Sequence, residues 1–96
     1  MVDVEETINR IMARDGVTGV IVMDFSGRAI KSTLDDASTS QYSTAIQQLC
    51  EKSKGLVREL DSGNDLTFLR LRTKKNEILI APDKDYLLAV IESLSS

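Results

Sequence analysis

The segment NDLTFLRLRTKKNEILIAPDKDY, residues 64–86, alternates apolar and polar side chains on both sides of a basic turn. A period of two is typical of β-strands, because successive side chains point to opposite faces of a sheet. Polar turns divide this segment and its apolar continuation into three strands, over residues 66–72, 78–81 and 86–91. We therefore predict a three-stranded antiparallel meander in the last third of the chain.

A second group of strands is predicted upstream. Residues 18–25 form an apolar run rich in Val and Ile, Ser26 and Gly27 form a turn, and residues 28–33 alternate polar with apolar side chains. This pattern predicts a β-hairpin. Since apolar residues occupy both alternating sets of the first strand, we expect that strand to be covered on both faces and to lie near the middle of the sheet.

Two amphipathic helices complete the pattern. The first is expected to begin at Asp3, with Glu6 completing a capping box, and to stop at Gly16. The second is long, and Ser38 with Gln41 three residues later predicts its amino-terminal cap. Its apolar stripe consists of Tyr42, Ile46, Leu49, Ser53, Leu56 or Val57, and Leu60.

The order helix, hairpin, helix and meander places the chain in the α+β class, as a single domain over residues 1–96. Short connections favour one five-stranded antiparallel sheet, with the long helix on one face and the short first helix on the other. Because few residues follow Ile91, we expect part of the second face to stay bare. Exposed apolar patches usually mark protein interaction sites.

The composition argues against catalysis and against nucleic-acid binding. The sequence contains no His, which excludes Ser-His-Asp and Cys-His arrangements and His-containing zinc sites. A net charge of −3 does not suit phosphate binding, and no apolar stretch is long enough to span a membrane. The one cysteine, Cys50, favours a reducing compartment. We expect a cytoplasmic protein that is not an enzyme and binds no cofactor, metal, small-molecule substrate, nucleic acid or membrane.

The predicted strand over residues 66–72 carries two arginines and is followed by two lysines, a charge pattern typical of edge strands. An edge strand can also pair with its own copy, which extends one sheet through a two-fold dimer and sets the two long helices side by side. Phe68 fits either the core or this interface, and Cys50 fits a small buried hydrophobe better than a redox sensor. The predicted dimer interface consists of Ile46, Leu49, Cys50, Ser53, Leu66, Thr67, Phe68, Leu69, Arg70 and Leu71.

Three stretches resemble the roadblock family of dynein light chains: VEETINR at residues 4–10, GVTGVIVMDFSGRAIKST at residues 16–33 and, above all, residues 64–86. The resemblance implies the roadblock fold, and a homodimer or a heterodimer with a close paralogue. It also implies a partner, a helical segment of the dynein intermediate chain. The role implied is that of a non-catalytic light chain that helps to assemble the cargo-binding tail of a microtubule motor, in the cytoplasm or in a cilium.

The resemblance also leaves a second interpretation open, because the same scaffold occurs in roadblock proteins that regulate small GTPases. In the dynein interpretation, the partner helix is expected to cover the bare sheet face by helix-in-groove recognition. The predicted partner-binding residues are Ile8, Ile11, Met12, Ile78, Ile80 and Leu88.

Overall fold

The computed structural model describes residues 3–94, so the predicted domain limits at residues 1 and 96 lie outside the described part. Two helices and five strands follow one another in the predicted order, which confirms the predicted α+β fold. They are α1 (Val4–Met12), β1 (Val17–Met23), β2 (Ala29–Ser32), α2 (Asp36–Leu60), β3 (Leu69–Arg72), β4 (Asn76–Pro82) and β5 (Leu87–Ser93).

The five strands form one antiparallel sheet in the order β2-β1-β5-β4-β3. β5 lies at the centre and pairs with β1 on one side and with β4 on the other. β1 lies between β2 and β5, which confirms its predicted place inside the sheet. β3 is an edge strand, as its charge pattern predicts, and β2 is the other edge.

The two faces of the sheet are covered unequally. On one face, α2 packs over a core that includes Ile21 of β1 and Ile80 of β4. On the other face, Ile8 of α1 packs against Val20 and Val22 of β1. Because α1 has only nine residues and packs mainly on β1, the β3–β4 side of its face carries no helix among residues 3–94. The predicted arrangement of one well-covered face and one partly bare face is confirmed.

β3 is shorter than the strand predicted over residues 66–72. Its pairing with β4 begins at Leu69, which lies opposite Ile80. In the same register Thr67 lies opposite Pro82, whose nitrogen carries no hydrogen and cannot donate to the ladder. Residues 66–68 therefore lie outside the regular strand.

α2 begins earlier than predicted. Its cap is Asp35, whose carboxylate accepts a hydrogen bond of 2.7 Å from the N–H of Ser38, so the first helical residue is Asp36. The predicted cap formed by Ser38 with Gln41 is wrong, because Ser38 is already inside the first turn. Asp35, three residues before Ser38, accepts from a free N–H group of the first turn and so takes the capping role that was predicted for Ser38.

α1 begins and ends close to the predicted residues. Asp3 accepts hydrogen bonds from the N–H groups of Glu5 and Glu6, while the side chain of Glu6 pairs with Arg10 and does not return to the cap. Gly16 has a φ of +89°, the left-handed conformation expected of a glycine after a helix. In the described part of the chain, neither helix has the length and apolar character needed to cross a membrane.

A pair of substitutions can test which residues of β4 face α2. Ile80→Ala removes a fully buried side chain beneath α2 and should lower the free energy of unfolding by about 2–5 kcal/mol. Leu79→Ala removes a half-buried side chain on the other face and should cost at most roughly 1.5 kcal/mol. Urea denaturation of the two variants and the parent protein provides the comparison. Equal losses would contradict the assignment of these residues to opposite faces.

The cap of α2 makes the stability of the protein depend on pH. The hydrogen bond from the Ser38 N–H lowers the pKa of Asp35 below its ordinary value of 3.8. A depressed pKa stabilises the folded state above that ordinary value, and the stabilisation is lost as the pH falls through the folded-state pKa. Asp35→Ala should therefore lower Tm at neutral pH, and the difference from the parent protein should shrink below about pH 3.8.

Asp36→Ala is the matched control, because it removes a neighbouring carboxylate that does not cap the helix. It should change Tm less than Asp35→Ala does at neutral pH. Thermal unfolding followed by circular dichroism at several pH values measures both effects. A difference between Asp35→Ala and the parent protein that grows on acidification would contradict the sign given above.

Candidate protein-interaction surfaces

One exposed apolar surface joins the outer side of α2 to β3, and we call it the edge surface. Its residues are Tyr42, Leu49, Leu56 and Leu60 of α2, and Leu71 of β3. The four α2 residues follow at steps of seven, seven and four, so they share one side of the helix. Tyr42 and Leu49 line a hollow of about 300 Å³ together with Leu71. The hollow lies between the helix and the edge of the sheet.

The edge surface leaves large apolar side chains in contact with water. Leu60 is 80% exposed, Leu56 is 56% exposed and Leu71 is 42% exposed. Single exposed apolar residues are common on proteins, but an apolar stripe along one side of a helix, together with an unpaired strand edge, is not. A second polypeptide that covered this surface would remove apolar area from water and would pair the free N–H and C=O groups of β3.

Most of the predicted dimer-interface residues lie on or beside this surface. Thr67, Phe68, Arg70 and Leu71 are exposed, whereas Leu49, Ser53, Leu66 and Leu69 are half-buried. The structure does not bring Ile46 and Cys50 to the surface, because both occupy the side of α2 that faces the sheet and pack in the chain's own core. Leu56 and Leu60, which belong to the predicted helix stripe but not to the predicted interface, are exposed instead.

The environment of Cys50 is apolar and closed. The residue is 2% exposed, and burial raises the pKa of its thiol. A protonated thiol is a poor nucleophile, since the thiolate is the reactive form. Cys50 therefore acts as a small hydrophobic residue in the core beneath α2.

The second candidate surface lies on the α1 side of the sheet, and we call it the open face. Its apolar residues are Val4, Ile11 and Met12 of α1, Leu79 and Ala81 of β4, and Leu88 of β5. Ala81 pairs with Leu88, and Leu79 pairs with Val90; paired residues of antiparallel strands share a face. Beside α1, a hollow of about 520 Å³ is lined by Val4, Thr7, Val22, Asp83, Lys84, Asp85, Tyr86 and Leu88.

The predicted partner-binding residues are divided between the two faces. Ile8 packs on Val20 and Val22 beneath α1, and Ile11, Met12 and Leu88 surround this cluster. Ile78 and Ile80 point the other way, toward α2, and Ile80 is fully buried there. Their assignment to the open face needs correction, because β4 alternates and its residues on that face are Leu79 and Ala81.

The two arginines of β3 also lie on the open face, where they share one carboxylate. Nε of Arg72 lies 3.1 Å and Nε of Arg70 lies 3.6 Å from the same oxygen of Glu77 on β4. Glu77 is 4% exposed, so its carboxylate has little contact with water, and the two guanidinium groups compensate its negative charge. The arginines therefore position a buried carboxylate in addition to the predicted protection of the edge.

Among residues 3–94, no three acidic, His or Cys side chains come close enough together to hold a metal ion. The two apolar surfaces and the arginine pair are features that can recognise another molecule. Their chemistry is that of protein recognition, since both surfaces combine apolar side chains with a rim of charge.

Comparisons with known proteins agree with the geometry of this fold. The structure is similar to that of a Roadblock/LC7 domain from Streptomyces avermitilis, with a TM-score of 0.86, 14% identity, and coverage of 96% of this chain and 79% of that chain. It is also similar to Myxococcus xanthus MglB, with a TM-score of 0.79, 16% identity, and coverage of 92% and 73%. For MglB in a tetrameric arrangement the TM-score is 0.80, the identity 9%, and the coverage 93% and 69%.

These structural similarities, at such low identities, show a shared fold. The sequence itself matches the family model of the Roadblock/LC7 domain over residues 3–92, which is nearly the whole chain. The chain therefore belongs to the Roadblock/LC7 domain family.

Proposed function

We propose that this chain is a non-catalytic adaptor that forms a homodimer through its edge surface and binds another protein on its open face. The observation that carries the dimer is the apolar stripe on one side of α2, whose Tyr42 and Leu49 lie near Leu71 at the unpaired edge formed by β3. Pairing two β3 strands would continue the sheet and bring the two α2 stripes together. The arrangement of MglB as a tetramer supports the view that proteins of this fold assemble.

The other edge strand, β2, is less suited to pairing. Lys31 of β2 is engaged by an ion pair of 2.8 Å with Glu5 of α1. The hollow beside α2 is lined by Leu71 of β3 and by no residue of β2. The apolar area beside β3 therefore favours that edge for the dimer.

For the partner, we propose a helical segment of the dynein intermediate chain, in the cytoplasm or in a cilium. Two features support this. The stretch over residues 64–86 resembles the dynein light chains of the family, and the open face offers apolar side chains of β4 and β5 next to α1. A helix laid beside α1 would bury Leu79, Ala81 and Leu88, in the manner of helix-in-groove recognition.

A second candidate partner is a small GTPase, for which the chain would act as a scaffold or regulator. The comparisons support this candidate better than they support a dynein subunit, because the structures named above are bacterial roadblock and MglB proteins. Neither candidate assigns a reaction to the chain itself. The two differ in what the open face binds, and that difference can be measured.

The dimer is tested by a charge placed in the edge surface. Leu71→Asp should raise the dissociation constant of the dimer at least about 30-fold, roughly 2 kcal/mol, because it buries an unpaired carboxylate in the interface. Ile30→Asp is the matched control: Ile30 is 45% exposed against 42% for Leu71, but it lies on the opposite edge of the sheet. Light scattering over a dilution series measures both. A parent protein that is monomeric at micromolar concentration, or equal effects of the two substitutions, would contradict the proposed interface.

The partner is tested by direct competition between the two candidates. The dimer is immobilised and offered a dynein intermediate-chain fragment and a panel of small GTPases in both nucleotide states. We expect retention of the intermediate-chain fragment, and a loss of at least about tenfold in affinity for Leu79→Asp, which places a charge on the apolar floor of the open face. Retention of GTPases alone would replace the first candidate by the second.

A further inference from the structure

Pairing of β3 with its own copy would change the surroundings of Arg70 and Arg72, and the inference below rests on this proposed dimer. In an antiparallel pair, residues directly opposite one another point to the same face of the sheet. A two-fold axis perpendicular to a continuous sheet keeps each residue on its own face in both copies. The open faces of the two subunits are therefore continuous across the junction.

This geometry brings like charges together in the two registers that place the two-fold axis at Arg70 or at Leu71. Arg70 and Arg72 lie on the open face, and their copies lie on the same face directly across the junction. If Arg70 lies opposite Arg70 of the partner subunit, the two guanidinium groups face each other. If Arg70 lies opposite Arg72 of the partner subunit, both pairs do. Like charges directly opposite one another in a sheet are destabilising.

Glu77 offsets only part of this charge. One carboxylate in each subunit serves two guanidinium groups, and it lies one strand further from the junction, on β4. Glu92 is the next acid along the same row, and it lies on β5, two strands from β3. With about 4.8 Å between neighbouring strands, the strip nearest the two-fold axis contains arginines and no acid.

The arginines also have unused hydrogen-bonding capacity. Each guanidinium group carries five N–H donors, and the contacts with Glu77 are made through Nε. The side chains of Arg70 and Arg72 are 62% and 65% exposed, so their terminal N–H groups are open to a ligand. Planar N–H pairs of this kind suit carboxylates, which they bind with two parallel hydrogen bonds.

We infer that the dimer junction carries an anion site, formed by Arg70 and Arg72 of both subunits, that binds Asp or Glu side chains of a partner polypeptide lying across the two-fold axis. Acidic side chains there offset the repulsion between the two arginine pairs, so partner binding and dimerisation reinforce each other. Apolar residues of the partner would rest on Leu79 and Ala81 beside the site. The partner is thereby specified as an amphipathic segment with an acidic patch.

The test uses the full-length protein and poly-L-glutamate as the acidic polypeptide. At low ionic strength we expect one peptide to bind per dimer. Raising the ionic strength from about 0.01 M to about 0.15 M shortens the screening length from about 30 Å to about 8 Å. It should weaken peptide binding at least about tenfold while it tightens the free dimer, because the same screening reduces the repulsion between arginines. Fluorescence titration and light scattering follow the two effects.

Three variants separate a binding role of the arginines from a structural one. The double variant Arg70→Gln and Arg72→Gln should lose peptide affinity at least about tenfold. Arg70→Lys with Arg72→Lys should bind with an affinity between that variant and the parent protein, because the charge remains but the paired N–H donors are lost. The double variant Arg10→Gln and Arg14→Gln is the matched control, since it removes the same charge from the α1 region and should bind like the parent protein.

Two results would overturn the anion site but not the proposed dimer. One is a dimer that does not bind poly-L-glutamate, and the other is an equal loss of affinity in the Arg10 and Arg14 control. A parent protein that is monomeric overturns both. Binding of inorganic polyphosphate or phosphatidylserine vesicles with no binding of poly-L-glutamate would overturn the assignment to an acidic polypeptide.

Discussion

The antiparallel register of β5 with β1 and β4 decides which side chains face each side of the sheet. It directs Ile21, Ile80 and Ala89 toward α2, and it directs Val22 and Leu88 toward α1. A shift of one residue would exchange the two sets, so the core beneath α2 also fixes what the opposite face presents. α1 has only nine residues against 25 in α2, so among residues 3–94 the β3–β4 part of the second face carries no helix. The open face results from the strand register, which selects its side chains, and from the short α1, which leaves them uncovered.

Those features of the fold that depend on local chemistry could be predicted from the sequence. Alternation and turn residues indicated the hairpin, the meander and the charged edge strand, and Asp3 and Gly16 bounded the first helix. Which side chains of β4 face α2 could not be predicted in this way. All four residues of Ile78–Ala81 are apolar, so either alternating set could face the helix. Only the long-range pairing with β5 settles it. The prediction of the α2 cap was wrong for a related reason. Asp35 and Ser38 are both good capping residues, and local rules do not rank one above the other.

β3 has two different sides, and each suits a different contact. Toward α2 it presents Leu71 beside the exposed stripe of that helix, which is the chemistry of a subunit interface. Toward the open face it presents Arg70 and Arg72, whose shared carboxylate on Glu77 holds them close to the edge. A second copy at this edge would bury the apolar side and concentrate the charged one. Dimerisation and partner recognition would then be linked through one four-residue strand.

Amide hydrogen exchange can show whether a second copy of the chain completes β3. We expect the β3 amides not bonded to β4 to exchange slowly at concentrations where the dimer is populated, and to become fast on dilution. The outward amides of β2 should exchange fast at every concentration and serve as the internal reference. Outward β3 amides that exchange as fast as those of β2 throughout the dilution series would mean that no second copy pairs with β3.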